Sequence, residues 1–351
     1  MTKKDDNKKY EFGLNSFGDI ALDDNGSRLS DAESIRQVVK EAVLADKLGI
    51  DVIGLGEHHR EDFAISSPET VLAAIASVTK RIKLSSAVTV LSSDDPVRVY
   101  QRFATLDAVS SGRAQIILGR GSFTESYPLF GYNLRDYNEL FEEKIELFSK
   151  LRTENPVTWH GTMRAPLADA DVYPKTESGK LPTYIGVGGT PQSVVRTAKY
   201  GFGLMLAVIG GAPDRFRPYV ELYHEAAKEF GTEALPVGLH SPGFIGAGTD
   251  KEARDAAWPA YQKFHQKVGR SRGWPPVTRE QYEHEIDHGS LYIGTPETVA
   301  QKIAKAMKDL DVNRFDLVYG LGLYKVSDRL KSVELFGKVV VPRVCELLEE
   351  R

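Results

Sequence analysis

Short apolar runs alternate with longer amphipathic stretches along the whole chain, and this alternation limits the possible folds more than any other feature. It is typical of parallel β/α proteins, in which a helix follows each buried strand. Several runs are rich in Val, Ile and Leu without strict alternation, as expected for strands buried on both faces. Eight strands are predicted, at residues 10–17, 51–56, 82–90, 114–119, 182–187, 203–209, 236–246 and 315–320.

Helical patterns lie between the predicted strands. The first helix begins with a capping box at Ser30 to Glu33 and runs to Leu48, before Gly49. The others cover about 67–79, 97–110, 136–152, 191–200, 214–230, 250–268, 296–309 and 329–350. Eight strands that alternate with helices predict a (β/α)8 TIM barrel, and a doubly wound open sheet is the alternative fold.

Two connections are longer than the repeating unit requires. Residues 153–181, after the fourth helix, contain several prolines and are interpreted as an excursion that includes a small hairpin. Residues 259–292, before the eighth strand, combine glycines, paired prolines, Trp274 and basic residues. Long insertions in compact domains are often binding loops, so the second insertion is predicted to be a mobile lid.

Composition excludes some classes of function. The chain of 351 residues is 41% hydrophobic with a net charge of −4, which argues against nucleic acid as a partner. No apolar stretch approaches the ~20 residues that span a bilayer, and the charged segment 1–9 is expected to be a disordered tail, not a secretory signal. The single cysteine, Cys345, fits packing in a reducing cytoplasm. Residues 10–351 are expected to form one domain.

The sequence Glu57-His58-His59 follows the second predicted strand. Catalytic residues of a β/α barrel cluster at the C-terminal ends of its strands, so these side chains are the first candidates for chemistry. Neighbouring side chains of an extended segment point in opposite directions, which makes the two histidines a weak metal pair. From these residues alone, a catalytic histidine and two structural histidines remain equally open.

Two further segments are candidate anion sites. Gly119-Arg120-Gly121 follows the fourth strand, and arginine offers a planar donor fork that suits phosphate. The segment from Gly188 to Ser193 follows the fifth strand and opens a helix, with Thr190 as its N-cap and free N–H groups. Because the two strands are neighbours in a barrel, both segments are expected to hold one phosphate. The similar start at Gly294 to Glu297 has no arginine near it in the sequence and is interpreted as structural.

The chain resembles the flavin-dependent oxidoreductases related to bacterial luciferase. Four groups of residues carry the resemblance: Gly56 to Arg60, Asp95 to Arg98, Leu106 to Ala114 with Gly119 to Gly121, and Gly294 to Val299. Their order and spacing also agree, from about Tyr10 to the C-terminal helix. The combination of Glu-His-His with Ser-Gly-Arg and Gly-Arg-Gly is specific, although each piece alone is not.

The resemblance implies an FMN-type flavin at the mouth of the barrel. It makes His58 the catalytic histidine, which Glu57 or Asp62 would orient, and it makes Arg120 the ligand of the FMN phosphate. It further implies a cis peptide bond between Ala87 and Val88, against the flavin ring. The remaining residues that it places at the cofactor are Thr89, Gly121, Gly188, Gly189, Thr190 and Ser193.

The chain departs from the light-emitting members at two places. Those proteins carry cysteine where this chain has Gly119, and Glu-Ser where it has Gly188 and Gly189. The differences count against light emission and a long-chain aldehyde substrate. They leave flavin binding intact, because glycine amides can also serve a phosphate.

The resulting hypothesis is an FMN- and O2-dependent monooxygenase that acts on a small organic substrate. The sequence has no Rossmann glycine fingerprint after a strand, so a separate NAD(P)H:flavin reductase is expected to supply reduced flavin, and the family resemblance implies a homodimer. No metal ion, nucleic acid or membrane partner is expected. The alternatives are an F420-dependent dehydrogenase, a metal-dependent hydrolase that uses His58, Glu57 and His240, and a non-catalytic flavin-binding subunit.

Overall fold

The structure is a computed structural model that describes residues 9–349, and it confirms the predicted TIM barrel. All but one of the nine residues of the predicted N-terminal tail lie outside the described residues. The strands in chain order are β1 (Glu11–Ser16), β2 (Val52–Leu55), β3 (Lys83–Ser86), β4 (Thr89–Val90), β5 (Ala114–Gly119), β6 (Val157–Trp159), β7 (Leu167–Ala170), β8 (Thr183–Val187), β9 (Gly203–Ala207), β10 (Gly238–Ile245), β11 (Tyr292–Gly294) and β12 (Arg314–Val318).

Helices surround the barrel and connect its strands. The first, α1, has the predicted capping box at Ser30 and Glu33 and ends at Gly49 in the left-handed conformation. The helices are α1 (Asp31–Leu48), α2 (Pro68–Val78), α3 (Pro96–Val109), α4 (Ser126–Leu129), α5 (Tyr137–Thr153), α6 (Pro191–Lys199), α7 (Arg217–Phe230), α8 (Asp250–Arg272), α9 (Arg279–Asp287), α10 (Pro296–Leu310), α11 (Val326–Leu335) and α12 (Val341–Glu349), with a π-helical turn Phe336–Val340 between the last two.

The barrel closes because β1 pairs in parallel with both β2 and β12. The strand order around the barrel is β1, β2, β3, β5, β8, β9, β10 and β12. The short strand β4 pairs with β5, and β11 pairs with the C-terminal half of β10. The apolar runs of the sequence form these strands, whose residues are almost all buried between the barrel interior and the helices. Cys345 is half-buried and packs against this core, in agreement with its predicted role.

The predicted strand at 82–90 is interrupted in its middle. A cis peptide bond joins Ala87 to Val88, as the family resemblance implied, and it separates β3 from β4. The side chain of Val88 points toward β5, where an added Cβ on Gly119 would lie 2.6 Å from the Val88 Cγ2 atom. Glycine at position 119 therefore makes room for valine at position 88.

The two insertions differ from each other in structure. The first forms the predicted hairpin, in which β6 and β7 pair antiparallel. The predicted helix over 250–268 is α8, which continues to residue 272, and α9 follows after a short connection, so most of the insertion predicted at 259–292 is helical and not a loop. Both helices bury apolar residues in a small second core, formed by Ala257, Ala260, Tyr282 and Ile286 against Phe244 and Tyr324. The function of this segment as a lid remains a prediction.

Among residues 9–349, no helix is sufficiently long and apolar to cross a lipid bilayer.

Candidate active site

The residues singled out from the sequence gather at one end of the barrel. His58 follows β2, the Ala87–Val88 bond follows β3, Arg120 follows β5 and Gly188 follows β8. Because all barrel strands are parallel, these four segments lie at the C-terminal mouth, where β/α barrels carry their chemistry.

His58 lies in a cluster of aromatic rings that the sequence analysis did not identify. Its imidazole stacks on Phe63 at 4.2 Å and meets the edges of Phe17 at 5.3 Å and Phe123 at 5.1 Å. Burial lowers the pKa of His58 to about 3, although the Asp62 carboxylate acts to raise it. The imidazole is therefore neutral at physiological pH, and it has one N–H donor and one acceptor nitrogen. Neither nitrogen has a hydrogen-bond partner within residues 9–349.

Glu57 orients a different histidine from the predicted one. Its Oε1 atom lies 3.0 Å from Nε2 of His59, and its Oε2 atom accepts a hydrogen bond of 2.8 Å from the backbone N–H of Val90. The second carboxylate that was considered, Asp62, accepts a hydrogen bond from Arg60 instead. Neither carboxylate is hydrogen-bonded to His58, so Glu57 is a positioning residue that joins the loop after β2 to β4.

The peptide segment predicted to face the flavin ring is closely packed. Ala87 is 3% exposed and Thr89 is 2% exposed. The Thr89 hydroxyl has no hydrogen-bond partner within the described part of the chain, which is uncommon for a buried polar group. An unpaired hydroxyl beside Ala87 and Val88 is what a polar edge of a bound flavin ring would satisfy.

Arg120 and the start of α6 come together as predicted. The Nη2 atom of Arg120 donates a hydrogen bond of 3.3 Å to Oγ of Ser193, and the Thr190 hydroxyl donates to the same oxygen at 2.7 Å. The other contacts of Arg120 are neutral, namely Asn138 at 3.0 Å and the ring of Tyr137. Arg120 thus makes no ion pair with a carboxylate in the part of the chain that the structure describes.

The backbone around these side chains is suited to an anion. Thr190 is the N-cap of α6, but its side chain makes no capping hydrogen bond to the helix amides. Gly189 has φ of +116°, a conformation that glycine adopts readily, and Tyr219 holds its carbonyl with a hydrogen bond of 2.8 Å. Gly188 is open, with no atom within 4 Å of an added Cβ. On the opposite side, the Tyr137 hydroxyl donates to the carbonyl of Gly121.

A second arginine at this site was missed from the sequence. Nη1 of Arg196 also donates to Oγ of Ser193, at 3.3 Å, and its Nε atom is buried without a partner among the described residues. Arg196 forms an ion pair with Glu142 on α5. The sequence spacing could have predicted this contact, since Arg196 follows Ser193 by three residues and therefore lies on the same helix face.

The helix start at Gly294 to Glu297 has a different environment. The Thr295 side chain caps α10 by accepting from the N–H of Thr298, and Asp250 accepts from the Thr295 N–H at 2.7 Å and from the Thr298 hydroxyl at 2.8 Å. The Asp250 carboxylate already occupies the positive end of this helix. These contacts agree with the interpretation of this segment as structural.

The donor set of the alternative metal-dependent hydrolase is not assembled. Glu57 pairs with His59, as described above, while His240 lies inside the barrel, 3.2 Å from the side-chain amide of Asn15. Burial lowers the pKa of His240 to about 4, although Asp316 acts to raise it. Within residues 9–349, no three His, Cys, Asp or Glu side chains are grouped as a metal ion would require.

The residues at the mouth fit a flavin mononucleotide. An uncompensated guanidinium, two hydroxyls and an uncapped helix start provide donors for a phosphate. The resemblance implies a flavin ring against the Ala87–Val88 segment, and the neighbouring Thr89 hydroxyl is unpaired within the described residues.

Comparison with known proteins agrees with this geometry. The chain is 28% identical over 224 residues to the alkanal monooxygenase alpha chain of Photorhabdus luminescens, and that match covers 61% of this chain and 59% of the relative. The chain thus matches only about three fifths of that relative's length. It is also 24% identical over 303 residues to an N-acetyl-S-alkylcysteine monooxygenase of Bacillus subtilis, with 81% of this chain and 86% of the relative covered.

Solved structures share the fold. Monooxygenase RslO1 from Streptomyces bottropensis superimposes with a TM-score of 0.83 at 21% identity and covers 95% of this chain and 99% of its own. The oxygenating constituent of 3,6-diketocamphane monooxygenase from Pseudomonas putida, in complex with FMN, gives 0.74 at 21% identity over 96% and 99% of the two chains. An F420-dependent secondary alcohol dehydrogenase gives 0.73 at 20% identity over 96% and 99%.

The family model described as luciferase-like monooxygenase matches residues 16–314. This match spans most of the chain, and the barrel and the arrangement of its mouth agree with it. The protein belongs to the luciferase-like monooxygenase family.

Proposed function

We propose that this protein is an FMN-dependent monooxygenase that uses O2 to oxidise a small organic substrate. The observation that carries the proposal is the convergence of Arg120, Thr190 and Ser193 at the uncapped start of α6. Three kinds of donor meet there around one point, and no carboxylate of the described residues neutralises Arg120. A phosphate monoester with two negative charges is the ligand that such a set of donors favours.

In this proposal the residues of the chain have the following roles. Arg120, Ser193, Thr190 and the helix amides bind the phosphate, while Ala87 and Val88 support the ring and Thr89 offers it a hydroxyl. When bound, the reduced flavin supplies the activation of O2. The neutral imidazole of His58 donates or accepts a hydrogen bond at the reacting end of the substrate, through the nitrogens that have no protein partner.

The aromatic rings around His58 have a further role in this proposal. Phe17, Phe63 and Phe123 pack around the partly buried imidazole and reduce its contact with water, which favours an oxygen-transfer reaction. Glu57 fixes the same loop through His59 and the Val90 amide.

Two partners belong to the proposal as well. A separate NAD(P)H:flavin reductase would supply reduced FMN, and the protein would act as a homodimer. The competing cofactor is F420, on which the structurally similar secondary alcohol dehydrogenase depends. The donors described here favour FMN, because its phosphate is a terminal monoester whereas the phosphate of F420 is a diester.

The decisive experiment compares cofactors and then activity. The purified protein is titrated with FMN, riboflavin and F420, and is then supplied with FMN, a flavin reductase and NADH while O2 uptake is followed over a panel of substrates. We expect FMN to bind more tightly than riboflavin and F420, and at least one substrate to be oxygenated. Tighter binding of F420, with hydride transfer and no O2 uptake, would replace this proposal by the dehydrogenase.

The contribution of His58 is tested in the same assay. His58→Gln should lower product yield per reduced flavin by roughly 10²-fold, a common size for a lost acid–base or hydrogen-bonding group. The melting temperature should change little, because residues at a barrel mouth serve function more than packing. His224→Gln, at an exposed histidine on α7, is the matched control and should retain full activity. Full activity of His58→Gln would remove His58 from the mechanism.

A further inference from the structure

Arg196 brings a second guanidinium group to the start of α6. Side chains of a helix lean toward its N-terminus, so the guanidinium of Arg196 reaches back to the hydroxyl of Ser193, one turn earlier. Nη1 of Arg196 and Nη2 of Arg120 each lie 3.3 Å from Oγ of Ser193. Two cations therefore converge on one neutral oxygen, and their nitrogens are no more than twice that distance apart.

The Ser193 hydroxyl cannot balance these two charges. It is a neutral group with one proton and two lone pairs, and it also shares a hydrogen bond of 2.7 Å with the Thr190 hydroxyl. The two guanidinium groups and Thr190 thus use its whole hydrogen-bonding capacity. The two positive charges repel each other across it, and an anion bound between them would relieve that repulsion.

The carboxylate of Glu142, on α5, offsets part of this charge through its ion pair with Arg196. The two partners differ in exposure, since the side chain of Glu142 is 47% exposed and that of Arg196 only 12%. Arg196 is held in place, because its Cζ atom lies 5.4 Å from the centre of the Phe141 ring and its Nε atom is buried. An exposed carboxylate loses little when it leaves such a pair, because water replaces the partner.

The charge balance changes when Glu142 turns into solvent. A phosphate monoester carries up to two negative charges at neutral pH. The guanidinium groups of Arg120 and Arg196 together match these charges, whereas a site in which Glu142 stays paired with Arg196 is one positive charge short. A bound monoester therefore favours the arrangement in which the phosphate, and not Glu142, contacts Arg196.

We propose that Arg196 is a second ligand of the FMN phosphate and that Glu142 is its exchangeable counter-ion, which the phosphate displaces. This inference rests on the proposed function, since it describes how the same site takes up and releases its cofactor. Competition from Glu142 weakens the binding of FMN, and weak binding suits a cofactor that a separate reductase delivers for each turnover.

The main test is a variant that should bind FMN more tightly than the parent does. Glu142→Gln removes the competing charge at similar size, so FMN affinity in a fluorescence titration should rise about threefold, a usual strength for an exposed ion pair. Riboflavin, which lacks the phosphate, should bind as before. Glu146→Gln, at an exposed glutamate one turn further along α5, is the matched control and should leave both affinities unchanged. Unchanged or weaker FMN binding in Glu142→Gln would overturn the role of Glu142.

A second pair of variants tests whether the effect passes through Arg196. Arg196→Met should weaken FMN binding about fivefold, less than the full value of a charge-assisted contact because the parent must first break the ion pair with Glu142. Riboflavin binding should not change. Glu142→Gln added to Arg196→Met should then have no effect, because the counter-ion has lost its partner. A threefold gain that persists in this double variant, or parental FMN affinity in Arg196→Met, would overturn the proposal.

The same titrations separate this inference from the proposed function. If the parent binds FMN more tightly than riboflavin and all variants at Arg196 and Glu142 keep the parent's affinities, the inference is wrong and the proposed function stands. If the parent binds FMN and riboflavin equally, the phosphate site of the proposed function is wrong, and the inference is wrong with it. Glu142 is exposed on α5, so its variant gives this answer without disturbing the core.

Discussion

The starts of α6 and α10 have almost the same sequence and opposite electrostatic environments. Each has glycine, threonine and proline in succession, with threonine at the N-cap. At α10 the Thr295 side chain caps the helix and Asp250 places a carboxylate at its positive end. At α6 the Thr190 side chain leaves the amides uncapped, and the charged groups that reach this helix start are the guanidinium groups of Arg120 and Arg196, which both donate to Ser193. The comparison teaches that a helix start becomes an anion site through its neighbours, not through its own motif.

Hydrogen bonding keeps the pKa of Asp250 below its usual value at this contact. Partial burial acts to raise it, but the Thr295 amide and the Thr298 hydroxyl outweigh burial. Asp250 is therefore ionised at neutral pH and serves the helix end as a bound anion would. We expect α6 to obtain the same stabilisation from a ligand.

The largest expected effect is at the arginine. Arg120→Ala should weaken FMN binding tenfold or more, because a charge-assisted contact to phosphate contributes about 1.5–3 kcal/mol. Riboflavin, which lacks the phosphate, should bind the parent and the variant almost equally. Arg343→Ala is the matched control, since Arg343 pairs with Glu297 in the first turn of α10. Equal FMN affinity in Arg120→Ala and the parent would refute the phosphate assignment.

The second prediction concerns the start of α10, where the variant removes the Asp250 carboxylate. Asp250→Ala should lower the free energy of unfolding by about 2 kcal/mol, because it deletes two hydrogen bonds to a charged group at a helix start. FMN affinity should stay as in the parent. Chemical denaturation measures the first quantity and fluorescence titration the second, and a large loss of FMN affinity would show that the two helix starts are not independent.

The third prediction converts one helix start into the other. Thr190→Asp introduces at α6 the carboxylate that α10 already has, so FMN binding should fall by about tenfold, or about 1.4 kcal/mol, through repulsion of the phosphate. The unfolding free energy without ligand should rise slightly, because the new carboxylate meets Arg120 and the helix amides. Thr190→Asn, with a similar shape and no charge, is the control. Unchanged FMN binding in Thr190→Asp would place the phosphate elsewhere.

The smallest expected effect is the difference in stability between alanine variants of the two N-cap threonines, Thr295 and Thr190. Thr295→Ala should cost about 1 kcal/mol of stability, the usual value for a lost N-cap. Thr190→Ala should cost less than about half of that in the absence of ligand, because its side chain caps no amide. Equal losses in the two variants would contradict the difference in capping described above.

The barrel was predictable from the sequence because its strands are buried on both faces and thus form distinct apolar runs. The predicted strand at 114–119 has the same bounds in the structure. The meeting of Arg120 with Ser193 also followed, because adjacent parallel strands end at the same edge of a barrel.

Other features depend on contacts between distant parts of the chain. The glycines and paired prolines after residue 268 suggested a loop, but α8 continues to residue 272 and α9 begins at Arg279, and Ala257 and Ala260 of α8 pack in one core with Tyr282 of α9. The partner of Glu57 was not predictable either, since the choice between two adjacent histidines is made by loop conformation. The apolar surroundings of His58 come from three separate loops.

Because Glu57 binds both His59 and the Val90 N–H, the Val90 amide can report whether the mouth of the barrel is open or closed. One carboxylate fastens both His59 and Val90, so the loop after β2 cannot separate from β4 without exposing the Val90 N–H to water. Hydrogen–deuterium exchange at this single amide would therefore measure the free energy of opening the mouth of the barrel. Slower exchange when a cofactor is added would mean that binding closes this edge, and the exchange rate would report it without any need for turnover.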